Sequence, residues 1–172
     1  MVTGGTIANI NGREAEWIVE QIIADSGYEV VKYSDYHSSK RKTALYDSVD
    51  KLLVKNVPYY NIYGLLGKTE FVAYDRTNDR QIRIEVKFQK SHGSVDEKYP
   101  FMYLNAVFGY EENEVIFIVD GDGYRKGARD WLVMAAESQM FFDESALRSK
   151  KITVMSISEF SDFVRRGFRY EP

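Results

Sequence analysis

Gln81-Ile82-Arg83-Ile84-Glu85-Val86-Lys87-Phe88-Gln89 alternates with a period of two, the period at which side chains leave opposite faces of a β-strand. Ile84, Val86 and Phe88 form one face, and Glu85, Lys87 and Gln89 the other. The first is a core face. The second sets a carboxylate, an ammonium and an amide in a row, on a strand too apolar to be a casual sheet edge. A sheet covered on both sides does not hold such a row unless something offsets the desolvation. A bound divalent cation would do so. Thr69 to Asp75 is a second β-rich run, joined to the first by Arg76-Thr77-Asn78-Asp79-Arg80, and the two runs read as a hairpin.

A metal site needs another acid, and the hairpin offers Glu70 and Asp75. With the turn centred near Asn78, paired residue numbers sum to about 156, which brings Glu70 near Glu85 or Val86. Asp75 then falls near Gln81, roughly 13 Å from Glu85 at about 3.3 Å per residue. Glu70 is the better second ligand, with Asp75 as the alternative.

Working toward the N-terminus, Ala15, Ile18, Val19, Ile22 and Ile23 recur at one-face spacing, which predicts a helix from Arg13 to Ser26, capped by Asn11 and stopped by Gly27. Tyr28 to Tyr33 reads as a strand and Ser34 to Lys42 as a basic loop. Leu45, Val49, Leu52 and Leu53 predict a second helix from Ala44 to Val54. Pro58 to Tyr63 is β-prone, and Gly64 and Gly67 bracket a turn. Toward the C-terminus, Phe101 to Phe108 reads as a buried helix opened by Pro100. Val115 to Val119 is a strand covered on both faces, ended by Asp120-Gly121-Asp122-Gly123. That motif lacks the remaining ligands of a calcium loop and the Lys-Ser/Thr of a phosphate loop, so it reads as a turn. A helix from Lys126 to Ala136, a strand from Ile152 to Met155 and a helix boxed by Ser156 and Glu159 complete an α/β sandwich around one mixed sheet.

The 172 residues, 44% of them hydrophobic, suffice for one core, so a single domain over residues 1–172 is expected. The absence of cysteine excludes disulfides, thiolate zinc sites and a cysteine nucleophile, and suits a reducing compartment. With only His37 and His92, a metal must be held by oxygen, which points to Mg²⁺, Mn²⁺ or Ca²⁺. Met1 to Asn11 lacks the basic start and apolar run expected of a signal peptide, no segment approaches the length of a membrane span, and a cytoplasmic location is expected. At a net charge of −3, any nucleic-acid binding rests on local basic clusters. They are Lys40-Arg41-Lys42, Arg148-Ser149-Lys150-Lys151 and Arg165-Arg166-Gly167-Phe168-Arg169.

Gly67-Lys68-Thr69-Glu70-Phe71-Val72, a turn, and Ile82-Arg83-Ile84-Glu85-Val86-Lys87 together resemble the core of the PD-(D/E)XK nucleases, in which an acid, a hairpin and an acid-x-Lys triplet share one active site. Gly12, Glu16, Val19, Ile23 and Gly27-Tyr28 resemble the N-terminal helix of that superfamily, and the strand from Val115 with its following helix fits the continuation. The resemblance runs from about Gly12 to Phe163. Glu70 stands where the family usually has aspartate, and Thr69 where its name records proline. The resemblance implies a restriction-endonuclease-like sandwich and metal-assisted phosphodiester hydrolysis. Glu70, Glu85 and the Val86 carbonyl would hold Mg²⁺, with Mn²⁺ able to substitute. Lys87 would activate water and steady developing charge, Gln89 would extend the site by a hydrogen bond, and Glu16 would contribute through water. The implied partner is DNA, whose phosphates would meet Lys90, Lys98 and the Lys40-Arg41-Lys42 loop. A DNA endonuclease selective for branched or structured substrates is the leading expectation, and a homodimer would let two sites cut both strands. A restriction-type enzyme, an exonuclease and a non-catalytic nucleic-acid-binding subunit are the alternatives.

Overall fold

The structure is a computed structural model describing residues 11–37, 48–125, 127–142 and 150–170. Helix α1 (Gly12–Ala24) begins where Asn11 accepts from the Arg13 and Glu14 amides and Glu14 returns a bond to the Asn11 amide, a capping box. Ala15, Ile18, Val19 and Ile23 are its buried stripe. Strand β1 (Glu29–Lys32) leads to a one-turn helix, α2 (Tyr33–His37), followed after a break by β2 (Lys51–Tyr60), β3 (Leu66–Asp75) and β4 (Arg80–Phe88). A 3₁₀ turn at Asp96–Lys98 opens into α3 (Tyr99–Phe108), and β5 (Glu114–Asp120), α4 (Ala128–Glu137), β6 (Lys151–Met155) and α5 (Ile157–Arg165) follow.

The six strands form one mixed sheet in chain order, with β1–β2, β4–β5 and β5–β6 parallel and β2–β3–β4 antiparallel. On one face, α1 and α5 pack over Leu53, Phe71, Ile82, Ile84, Val86 and Ile116. On the other, α3 and α4 cover Val115, Phe117, Val119 and Ile152. A separate apolar cluster of Val31, Leu52, Val54, Val57 and Val72 lies under α2. Val115 to Val119 is at most 1% exposed, as an apolar run requires of a strand covered on both sides. Each large side chain that β5 buries contributes about 1.5–3 kcal/mol. The result is the α/β sandwich with a central mixed sheet that the hydrophobic pattern implies. No helix among the described residues is long and apolar enough to cross a membrane.

The expected helix from Ala44 to Val54 is corrected over its described part. Residues 44–47 lie outside the described residues, and Lys51–Val54 is the start of β2. Leu52 and Leu53 point to opposite faces, each into its own cluster. Burial on both faces erases the alternation that marks a strand, and with Leu45 and Val49 upstream the spacing imitates a helix. The strand expected from Tyr28 to Tyr33 shortens to Glu29–Lys32, and the loop from Ser34 opens instead with α2, whose described part ends at His37. Gly67, placed at a turn by the sequence, lies within β3 opposite Tyr59.

Candidate active site

Pairing between β3 and β4 runs from Asp75–Arg80 to Phe71–Ile84 and ends there. Paired numbers sum to 155 (71 + 84), so the register, continued by one step, sets Glu70 against Glu85. Beyond this point β3 stays with β2 while β4 continues with β5 to Phe88, which leaves a fork between the central strands. Glu70 fills it. Its Oε2 accepts the Val86 N–H at 3.1 Å, a donor the β3 backbone no longer meets.

Three oxygens converge in the fork. Lys87 Nζ lies 3.1 Å from Glu70 Oε1, 3.1 Å from Glu85 Oε1 and 3.2 Å from the Val86 carbonyl oxygen. The ammonium therefore occupies the focus of the two carboxylates and the carbonyl, and stands in for a cation there. Burial opposes the Lys87 charge, but Glu85 and Glu70 more than offset this and hold its pKa above the ordinary value. Burial pushes the Glu70 carboxyl up; Lys87 opposes the shift and Glu85 adds to it.

A second layer of side chains fixes Glu85. The Tyr110 hydroxyl donates to Glu85 Oε2, and burial together with the Glu85 charge keeps that phenol protonated well beyond its usual range. Tyr110 meets Tyr59 edge to face at 4.7 Å, and the Arg83 guanidinium lies 4.9 Å from its ring centre. Arg83, 3% exposed, makes a two-pronged pair with Glu112, its Nη2 donating to Oε1 at 2.8 Å, and its Nη1 donates to Thr69 Oγ1 at 2.8 Å. Thr69 is thus part of a polar seam that runs between two apolar clusters.

Of the residues singled out by the sequence, Glu70, Glu85, Val86 and Lys87 come together. Gln89 does not join them. Its Nε2 donates to the Gly123 carbonyl at 2.9 Å and its Oε1 accepts the Asp96 N–H at 3.1 Å, so both ends of the amide fasten neighbouring loops. Glu16 is half-buried on α1, a helix packed on the opposite face, and makes no hydrogen bond or ion pair among the described residues. Asp75 accepts the Asn78 N–H at 3.2 Å and its side-chain amide at 2.7 Å, which commits it to the hairpin turn. Lys90 and Lys98 are exposed on the segment after β4, and Lys40, Arg41 and Lys42 lie outside the described residues. The sequence reading passed over Arg83, although its alternation with Glu85 marked it. Tyr110 and Glu112 follow α3 without any periodic signal.

Among the described residues no three acids or histidines cluster as metal ligands. Two carboxylates and a carbonyl nevertheless suit Mg²⁺, which binds through one or two carboxylates and keeps several waters. A family model for the PD-(D/E)XK nuclease superfamily domain matches residues 7–168. A comparison with curated proteins gives no match.

Proposed function

The chain belongs to the PD-(D/E)XK nuclease superfamily, and from that premise we propose that it is a single-domain, Mg²⁺-dependent deoxyribonuclease acting as an endonuclease in the cytoplasm. The observation that carries this reading is the convergence of Glu70 Oε1, Glu85 Oε1 and the Val86 carbonyl on one point already held by a positive charge. Bound by those three oxygens, Mg²⁺ would polarise the scissile phosphate and acidify an attacking water. Lys87, released from the carboxylates, carries its charge to the phosphate and steadies the negative charge that develops there. Tyr110 keeps Glu85 from rotating, and Arg83, anchored by Glu112 and Thr69, holds the Tyr110 ring in place. Exposed Lys90 and Lys98 suit contacts with backbone phosphates.

The test is cleavage of supercoiled plasmid and of four-way-junction DNA in Mg²⁺, by wild type, Glu70→Gln, Glu85→Gln and Lys87→Ala. Wild-type cleavage that stops with chelator and with each substitution is expected. Cleavage that survives the substitutions would move the reaction elsewhere on the chain, and wild-type protein that binds but never cuts would make it a binding module.

A further inference from the structure

A cavity of about 900 Å³ opens between the end of α1, the β3–β4 turn and the tail after α5. It is separate from the fork: Asp75 on its wall lies five residues along β3 from Glu70, roughly 16 Å at about 3.3 Å per residue. Its lining is unusual for an acidic chain. Lys51, Arg80, Arg165, Arg166 and Arg169 all border it, gathered from three distant stretches of a sequence whose net charge is −3. Asp25 and Asp75 are the acids on the wall, and Asp75 is already engaged by Asn78. Ser26, Ser158 and Ser161 add hydroxyls, while Ile22, Ile157, Val164 and Phe168 supply an apolar side.

The basic tail is held in a set shape. Gly167 and Phe168 both take positive φ, 68° and 59°, and Phe168 is buried against the rings of Tyr28 and Phe163, with centroids 5.4 and 5.5 Å away. Arg80 locks the turn by donating Nη1 to the Phe168 carbonyl at 2.6 Å, while its Nε donates to Glu114 at 2.8 Å. Arg166 and Arg169 therefore flank a fixed turn rather than a loose end, so the backbone that carries them is already ordered before an anion binds.

We propose that this cavity binds a nucleotide-sized, phosphate-bearing ligand. Arg166, Arg169 and Lys51 take the phosphate, for which guanidinium geometry is suited, while Arg80 and Arg165 stay paired with Glu114 and Asp162. The apolar side, where Ile22 is only partly buried, takes the base or sugar. The volume lies within the roughly 300–1,000 Å³ usual for small-molecule sites. Two sources share this chemistry, a free nucleotide and a nucleotide of a nucleic-acid strand. The inference does not depend on hydrolysis in the fork.

Binding is measured by fluorescence anisotropy with a labelled nucleoside triphosphate and a labelled eight-nucleotide DNA, in Glu85→Gln protein so that no probe is cut. Arg166→Glu with Arg169→Glu is compared with a charge-matched control, Arg13→Glu with Lys32→Glu, on exposed sites outside the cavity. Thermal unfolding confirms that both fold. A tenfold or greater loss for the mononucleotide, absent from the control, supports a free nucleotide as ligand. The same selective loss for the oligonucleotide alone supports a strand as its source. Equal affinities in the two variants for both probes overturn the proposal.

Discussion

Lys87 has three N–H donors and three acceptors, Glu70, Glu85 and the Val86 carbonyl, so the ammonium neutralises the very oxygens that a metal would use. Lysine and metal then compete for one place. Lys87→Ala is expected to abolish cleavage while tightening Mn²⁺ binding several-fold, read by calorimetry or by the electron paramagnetic resonance of the free ion. Unchanged or weaker binding would show that Lys87 does not block the focus. Tyr110→Phe removes the hydroxyl that orients Glu85 and keeps the ring. Loss of a partner behind a metal ligand typically costs about 10–100-fold in affinity. A Mn²⁺ dissociation constant raised about tenfold, with an unchanged melting temperature, is the expected result. Arg83 makes the opposite kind of prediction. Arg83→Met strands Glu112, 7% exposed, without its cation, and should destabilise the fold by about 3–5 kcal/mol in a denaturant titration. Pairing it with Glu112→Leu should recover much of that loss.

Among the elements, the turn after β5 approaches the segment after β4 backbone to backbone. The Gly123 N–H donates to the Gln89 carbonyl at 2.8 Å, and a Cβ on Gly123 would lie 2.4 Å from the Ser91 carbonyl oxygen. The turn expected of Asp120-Gly121-Asp122-Gly123 thus sets the course of the chain just past Lys87. Gly123→Ala is expected to cost about 1–3 kcal/mol and to lower cleavage with it, because Ser91 must move. Helix α5 shows its capping by pH. The Ser156 N–H holds the Glu159 carboxyl below its ordinary range, so the folded state favours the charged form. That contribution is present above the unfolded-state pKa and is lost as pH falls through the lowered folded-state value. Glu159→Gln should therefore be less stable than wild type near neutrality, by only about a few tenths of a kcal/mol because the carboxylate is largely exposed, with the gap closing in acid.

For the molecule as a whole, the sheet divides two cores, and the fork between β3 and β4 carries acids beside the buried Arg83–Thr69 seam, in a partition whose other buried residues are mostly apolar. Divalent ions that bind only the folded chain stabilise it by about 2.7 kcal/mol at a hundredfold excess over the dissociation constant. For a chain of this size that is a rise of about 5–10 °C in melting temperature. It should appear with Mn²⁺ in wild type and vanish in Glu70→Gln with Glu85→Gln. Much of this was readable from residues alone. The alternation of Ile84, Val86 and Phe88 with Glu85 and Lys87 determined the faces of β4, the run from Val115 to Val119 determined a doubly covered strand, and Asn11 and Ser156 marked helix starts, because each of these signals is local and periodic. Tertiary structure alone decided that Lys51–Val54 is a strand, since burial on two faces hides a period of two. It alone closed the register at Phe71–Ile84 and turned Glu70 into the fork, sent Gln89 to the loops, and brought Tyr110 and Arg83 behind Glu85. Those outcomes depend on where the β3–β4 ladder stops and on side chains distant in sequence, and no spacing within a single strand encodes either.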